Sequence, residues 1–196
     1  MFLNTYKKIL QFDDVTKFRL INAFIIAIGL NLLMPVMVDL KGEFLVAWII
    51  SFFMILETLA VKTNRYFVEN FTISQVYRMS VFAHINFTLI ALLYFINPVW
   101  MIWGDMIAAI IDITIFSAYS IMLTNHMTDN HPDSMKEFQI IRNSTWADGI
   151  LIGLTIVTIL TFFWGNSIAV AAFVIFNITF SIWLIKNWNF FKNKGL

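Results

Sequence analysis

Apolar residues run along this chain in six long blocks, each interrupted by short polar or turn-forming stretches, at about 20–38, 44–61, 77–97, 99–123, 146–164 and 167–186. A helix needs about 20 mostly apolar residues to cross roughly 30 Å of hydrocarbon, and all six blocks approach that length. The third and fourth blocks meet at Asn97-Pro98, where proline lacks the amide proton needed to continue the preceding helix. The fifth and sixth meet at Gly165-Asn166, next to Trp164 at interface depth. Fusing either pair would give a helix far too long for a bilayer. The pattern therefore predicts an all-α membrane protein, a six-transmembrane-helix bundle forming one domain over 1–196. Only two connections are longer, about Lys62 to Val76 and Asn125 to Thr145.

Ahead of the first block the pattern changes. Phe2, Leu3, Tyr6, Ile9 and Leu10 share one helical face, and Asn4, Lys7, Lys8, Gln11 and Asp14 share the other. Residues 1–18 thus read as a short amphipathic segment lying in the membrane interface, with no signal-peptide cleavage pattern. Lysine and arginine placement then sets the orientation. With the N-terminus inside, Lys7, Lys8, Lys17, Arg19, Lys62, Arg65, Arg78, Lys136, Arg142, Lys186, Lys192 and Lys194 are cytoplasmic, and Lys41 alone is outside. This bias obeys the positive-inside rule and places both termini in the cytoplasm. Compactness together with the Ile, Asn and Lys usage points to a bacterial inner (plasma) membrane.

Composition sharpens the picture by exclusion. The chain is 60% hydrophobic and 13% charged, against about 45–50% and about 25% in soluble domains, so lipid must solvate much of its surface. Cysteine is absent, which removes disulfides, thiolate metal sites and cysteine nucleophiles. A net charge of +1 gives no sign of a nucleic-acid partner. There is no phosphate-binding loop, dinucleotide fingerprint or nucleophile-elbow serine, so neither an enzyme nor a cofactor is expected. The three histidines, His84, His126 and His131, form no ligand cluster, although His126 and His131 share a polar stretch with Asp129 and Asp133.

Ionisable residues inside apolar blocks are expensive and usually turn inward. Five stand out: Glu57, His84, Asp105, Asp112 and Asp148. Asp105 and Asp112 are seven apart and share a face with Ala108, Ala109 and Tyr119. Asp112 falls near mid-membrane and reads either as part of a polar pathway or as a hydrogen-bonding group between helices; Asp105 is nearer the outer interface. Ser80, His84, Thr88 and Ala91 make a second stripe, with Glu57 at comparable depth on the preceding, opposite-running helix. A carboxylate–imidazole pair there is a candidate proton site, with ordinary packing of the histidine as the competing reading. The fifth block opens with Asp148, Gly149 and Gly153, whose G-x-x-x-G spacing permits close backbone approach, while Asp148 would benefit from a helix dipole. Asn31 with Pro35 is expected to loosen the first helix near its outer end.

The stretch Ser117 to Leu154, SAYSIMLTNHMTDNHPDSMKEFQIIRNSTWADGILIGL, together with Leu56-Glu57-Thr58, resembles major facilitator superfamily transporters. Six spans with both ends inside equal the N-terminal half of that twelve-helix fold. The family's glycine- and arginine-rich gating loop is degenerate here, reading Val61-Lys62-Thr63-Asn64-Arg65-Tyr66-Phe67. The resemblance implies a half-size transporter, assembled as a homodimer and moving a small solute with proton or cation coupling through Asp112, His84, Glu57, Asp105 and Asp148. Two alternatives stand beside it: a non-transporting membrane binding protein (an immunity or exclusion factor, or an accessory subunit) and a substrate-binding subunit of a multi-component importer. Expected partners are the lipid bilayer and a second copy or another membrane protein.

The topology is testable by single cysteines labelled with an impermeant reagent. Positions Lys41, Asn97 and Asn166 should react from outside and Asn64, Asn130 and Asn193 should not; outside labelling at Asn130 would reverse the orientation.

Overall fold

A computed structural model describes residues 12–39, 52, 55, 58–59, 62–130 and 135–196; within its helices the side chains at 30, 33–35, 37–39, 105–107, 109–113 and 130 are not described. Among the described residues all regular structure is helical. The main elements are α1 (Asp14–Asp39), α2 (Ile73–Leu92) with a 3-10 turn at Leu93–Phe95, α3 (Pro98–Asn130), α4 (Met135–Trp164), α5 (Asn166–Lys186) and the short α6 (Phe190–Asn193). Residues 62–70 form a further helical segment. Among the described residues, three helical stretches are long and apolar enough to cross a membrane: Ile73–Phe95, Met135–Trp164 and Asn166–Asn193. Of the second predicted block only scattered positions are described, so it lies mostly outside the described residues.

Local chemistry sets the helix ends. The Asp13 carboxylate accepts from the Thr16 amide at 3.1 Å and caps α1. At α2, the Thr72 hydroxyl accepts from the Gln75 amide while the Gln75 side chain accepts from the Thr72 amide, a reciprocal capping box. Asn97 Oδ1 accepts from the Val99 amide at 2.9 Å, and Pro98 takes the first helical position, where its missing donor is harmless. Gly165 separates α4 from α5 with φ +80°, a conformation that disfavours any side chain. Both sequence-predicted junctions, Asn97-Pro98 and Gly165-Asn166, are therefore where the chain turns.

Of the segment 1–18, residues 1–11 lie outside the described residues, and 14–18 form the first turn of α1, with Val15, Thr16 and Phe18 buried. Two expectations need correction. The long polar connection expected over Asn125 to Thr145 is mostly helix: α3 runs on to Asn130 and α4 begins at Met135. At 33 and 30 residues, these helices would be about 50 and 45 Å long and overshoot a hydrocarbon core of about 30 Å. Residues 125–130 and 135–145 are thus helical, and residues 131–134 between them lie outside the described residues. Likewise 62–70 is helical, and the break before α2 is confined to Phe71 and Thr72.

Packing is dominated by α4 on α1. A Cβ at Gly149 would lie 2.7 Å from the Phe24 carbonyl oxygen and 2.8 Å from the Ala27 Cβ; one at Gly153 would lie 2.7 Å from the Ile28 carbonyl oxygen. The G-x-x-x-G pair is thus a contact between backbones. Contacts climb both helices together, from Phe12 on Phe138 to Ile28 beside Gly153, so α1 and α4 run parallel. The opposite face of α4 presents Leu151, Ile152, Ile156, Ile159, Phe162 and Phe163 outward.

The interior divides into two apolar clusters. The lower one gathers around Phe18, which stacks on Trp183 and Phe190 at 4.9 and 4.5 Å and meets Tyr77 and Phe191 edge-on. The upper one joins Ile28, Leu32 and Val36 to Met101, Ile102, Val157, Val170 and Phe173. At the lower end Lys194 Nζ donates to Asp14 Oδ2 at 2.7 Å, so the last residues of the chain close on the start of α1. That ammonium holds the Asp14 carboxyl below the usual carboxylate range, chiefly through the hydrogen bond.

Alanine at Gly149 or Gly153 should each lower stability by about 1–3 kcal/mol through overpacking against backbone that cannot give way. Alanine at Ile159 on the outward face should change it little. Unfolding in detergent, followed by tryptophan fluorescence, measures all three; equal effects would remove α4–α1 apposition as the organising contact.

Candidate functional site: a polar seam inside the bundle

Between the two apolar clusters the interior turns polar. From α2, Ser80, His84 and Thr88 are buried at four-residue spacing, with Ala91 continuing the same face. From α5 come Asn177 and Ser181, from α3 Tyr119, and from α1 Asn22 and, near the lower end, Arg19. Helices α1, α2 and α5 each contribute their polar groups at i, i+3 or i, i+4 spacing, which puts them on one face, and α3 contributes Tyr119.

These groups fall into two kinds. Some hydroxyls close locally on their own helix: Ser80 donates to the Tyr77 carbonyl at 2.7 Å and Thr88 to the His84 carbonyl at 3.1 Å. Threonines on outward faces, including Thr155 and Thr179, do the same and so need no partner from lipid. Tyr77 reaches across to the Leu184 carbonyl at 2.9 Å and ties α2 to α5.

The second kind is unsatisfied. His84 Nε2, Asn177 Oδ1, Ser181 Oγ, Tyr119 Oη and Asn22 Oδ1 are all buried without a well-aligned hydrogen bond among the described residues. His84 nevertheless stands beside Asn177 and Tyr119 beside Asn22, close enough for each pair to meet part of its own demand. Asn177 is fully buried and donates through Nδ2 to its own Phe173 carbonyl at 3.0 Å, leaving its oxygen turned towards Gly29 of α1. It is also the polar neighbour of His84, whose ring stands edge-on to Phe180 at 4.7 Å. Tyr119 in turn neighbours Asn22 and Tyr77. A buried polar atom without a partner costs about 1–3 kcal/mol, so five along one seam are a substantial open demand for hydrogen bonds.

The sequence-predicted residues distribute unevenly over this picture. His84 lies in the seam with its whole stripe, and Ala108 and Tyr119 are both buried, as their shared face requires. Glu57 lies outside the described residues, so its pairing with His84 has no geometry to consult. Asp105 and Asp112 are on α3, but their side chains are not described. Asp148 needs correction. It is half-buried and sits more than three turns into α4, which starts at Met135, so no helix N-terminus supports it. Asn31 donates to the Ala27 carbonyl at 2.8 Å, and α1 continues through Pro35 to Asp39.

Asn177, Ser181, Asn22 and Arg19 were not anticipated. Asn177 and Ser181 carry a legible signal, a polar pair four apart in an otherwise apolar helix. Arg19 carries none, since it reads simply as one of the flanking positive charges. Among the described residues no three His, Cys, Asp or Glu come together as a metal site; His126 and Asp129 lie on α3, while His131 and Asp133 fall outside the description.

No family model, no curated protein and no solved structure matches this chain.

Two substitutions separate satisfied from unsatisfied groups. Tyr77→Phe should cost about 1 kcal/mol, because it removes the hydrogen bond that ties α2 to α5, although the Leu184 carbonyl keeps the Asn187 amide. Ser181→Ala should leave stability within about 0.5 kcal/mol. Thermal unfolding in detergent distinguishes them, and a larger loss for Ser181→Ala would mean that its hydroxyl has a structural partner.

Proposed function

We propose that this chain is a half-size, transporter-like integral membrane protein that works as a homodimer and moves a small solute with proton or cation coupling. Six spans, both termini in the cytoplasm and residence in a bacterial inner membrane belong to the same proposal. Three helices of spanning length support it. The observation that carries it is the run of buried polar atoms around His84 and Asn177 that lack well-aligned hydrogen bonds, set among the residues of the two apolar clusters. A structural seam closes on itself, as Tyr77 does on Leu184; an open one is equipped to receive water, a proton or a solute. Asp112, His84 and Glu57 are the coupling residues in this reading, with Asp105 nearer the mouth. A carboxylate or imidazole at that depth is costly when charged, which suits a group that takes up and releases a proton. The exposed apolar face of α4 is the surface available to lipid or to a second copy.

One feature favours the alternative, a non-transporting membrane binding protein such as an immunity or exclusion factor or an accessory subunit. In the segment that stands in for the family's gating loop, Arg65 pairs at 2.6 Å with Glu69 of its own helical segment, and both are exposed. Asn64 alone reaches α3, donating to Ser117 at 2.7 Å. A charge pair within one helical turn cannot lock two helices together and then release them.

Flux in proteoliposomes decides between the two. Asp112→Asn and His84→Gln should each abolish pH-gradient-driven uptake and leave the melting temperature within a few degrees of wild type. Unaltered flux in both variants, or a wild-type protein that carries nothing while holding a partner protein tightly, would replace transport by binding.

A further inference from the structure

Arg19 is the one charged side chain among the described residues that is fully inside the bundle. It is 5% exposed, and its Nη1 has no hydrogen-bond partner. Its other terminal nitrogen donates to the Ser120 hydroxyl at 3.1 Å, and its guanidinium lies 5.0 Å above the Phe138 ring. No ion pair to a carboxylate is found for it among the described residues. The charged group close enough to act on it is a second cation, Arg142 of α4, which is half-buried and has Asn143 of its own helix as its hydrogen-bond partner. An arginine does not discharge itself in a protein. Arg19 lies over the Phe138 ring, and Arg142 follows Phe138 by one turn of α4. Two guanidinium groups of adjacent helices thus stand close together, one of them desolvated, with no carboxylate paired to Arg19 among the described residues.

A buried charge without a counter-charge is unstable unless something supplies one. The surroundings suit an oxyanion. The guanidinium fork offers parallel donors, Nη1 has none of them engaged, and Arg142, one turn along α4 from the Phe138 ring that Arg19 covers, adds long-range attraction. Access exists as well: Ser120, which holds Nη2, is exposed, so the group sits just beneath the bundle surface at the end where Asp14 and Lys194 meet. We infer that Arg19 and Arg142 form a binding site for a phosphate group at this end of the bundle. That group can come from a lipid headgroup or from a free phosphorylated solute, because the chemistry of recognition is the same. The site lies at the lower end of the polar interior that also holds His84 and Asn177, and binding there does not depend on transport.

The test reads binding alone, without flux. Wild-type protein in detergent is titrated with inorganic phosphate, chloride being exchanged to hold ionic strength constant, and unfolding is followed by tryptophan fluorescence. In parallel it is placed in nanodiscs of phosphatidylcholine with or without phosphatidylglycerol, and retained lipid is counted by native mass measurement. A rise in melting temperature with phosphate identifies a soluble ligand, and one with phosphatidylglycerol identifies a headgroup; either supports the site. Arg19→Gln should weaken the effective ligand by at least about tenfold. Arg142→Gln, at a half-buried position that the fold tolerates more easily, should weaken it several-fold and serves if Arg19→Gln does not fold. No stabilisation of wild type by either ligand, or binding unchanged in Arg142→Gln, would overturn the assignment.

Discussion

The close approach of α4 to α1 is the contact from which the rest of the bundle takes its geometry. In lipid there is little hydrophobic drive to bring two apolar helices together, so association rests on how closely their backbones can pack. Gly149 and Gly153 present no side chain where Phe24, Ala27 and Ile28 come up against them. Because α1 and α4 run parallel, α5 must descend beside them, and it does so with Phe176 and Asn177 against Gly29. Three glycines on two helices thus position the three-helix core on which α2 and α3 are laid.

That arrangement has a consequence for the polar groups. Helices drawn together by small residues bring whatever lies beside those residues into the interior. Asn177 is buried because it faces Gly29, and His84 because α2 packs along α5. The aromatic cluster around Phe18 below and the aliphatic cluster around Phe173 above then close off the seam at both ends. A low-dielectric setting strengthens every hydrogen bond that is made and raises the cost of every one that is not. The unsatisfied atoms around His84 and Asn177 are in this sense the most informative feature of the interior.

The lower end of the bundle follows different physics. There charged side chains gather, and α3 and α4 continue as helix through polar sequence. Lys194 meets Asp14, and α6 folds its Phe190 and Phe191 under Phe18. Against this background Arg19 is anomalous. Every other described lysine and arginine is at least partly exposed, whereas its guanidinium is enclosed without a negative partner among the described residues.

Much of this was legible in the chain itself. Hydrophobic block length marked the apolar helices, proline and glycine marked the junctions at Asn97-Pro98 and Gly165-Asn166, and G-x-x-x-G marked a close contact. These are local facts, fixed by backbone sterics and side-chain polarity over a few residues. The stripe Ser80–His84–Thr88 was readable for the same reason, because helical periodicity alone puts its members on one face. Tertiary structure decided the rest. It extended helices through polar stretches such as Asn125–Asn130, where block hydropathy is silent but an uninterrupted backbone keeps its hydrogen bonds. It moved Asp148 from a helix start to a helix middle. It chose α1 as the partner of Gly149 and Gly153, and it set Arg19, Asn22, Tyr119, Asn177 and His84, drawn from four helices, in one interior. Which faces meet depends on packing between segments more than a hundred residues apart, and no local pattern encodes that choice.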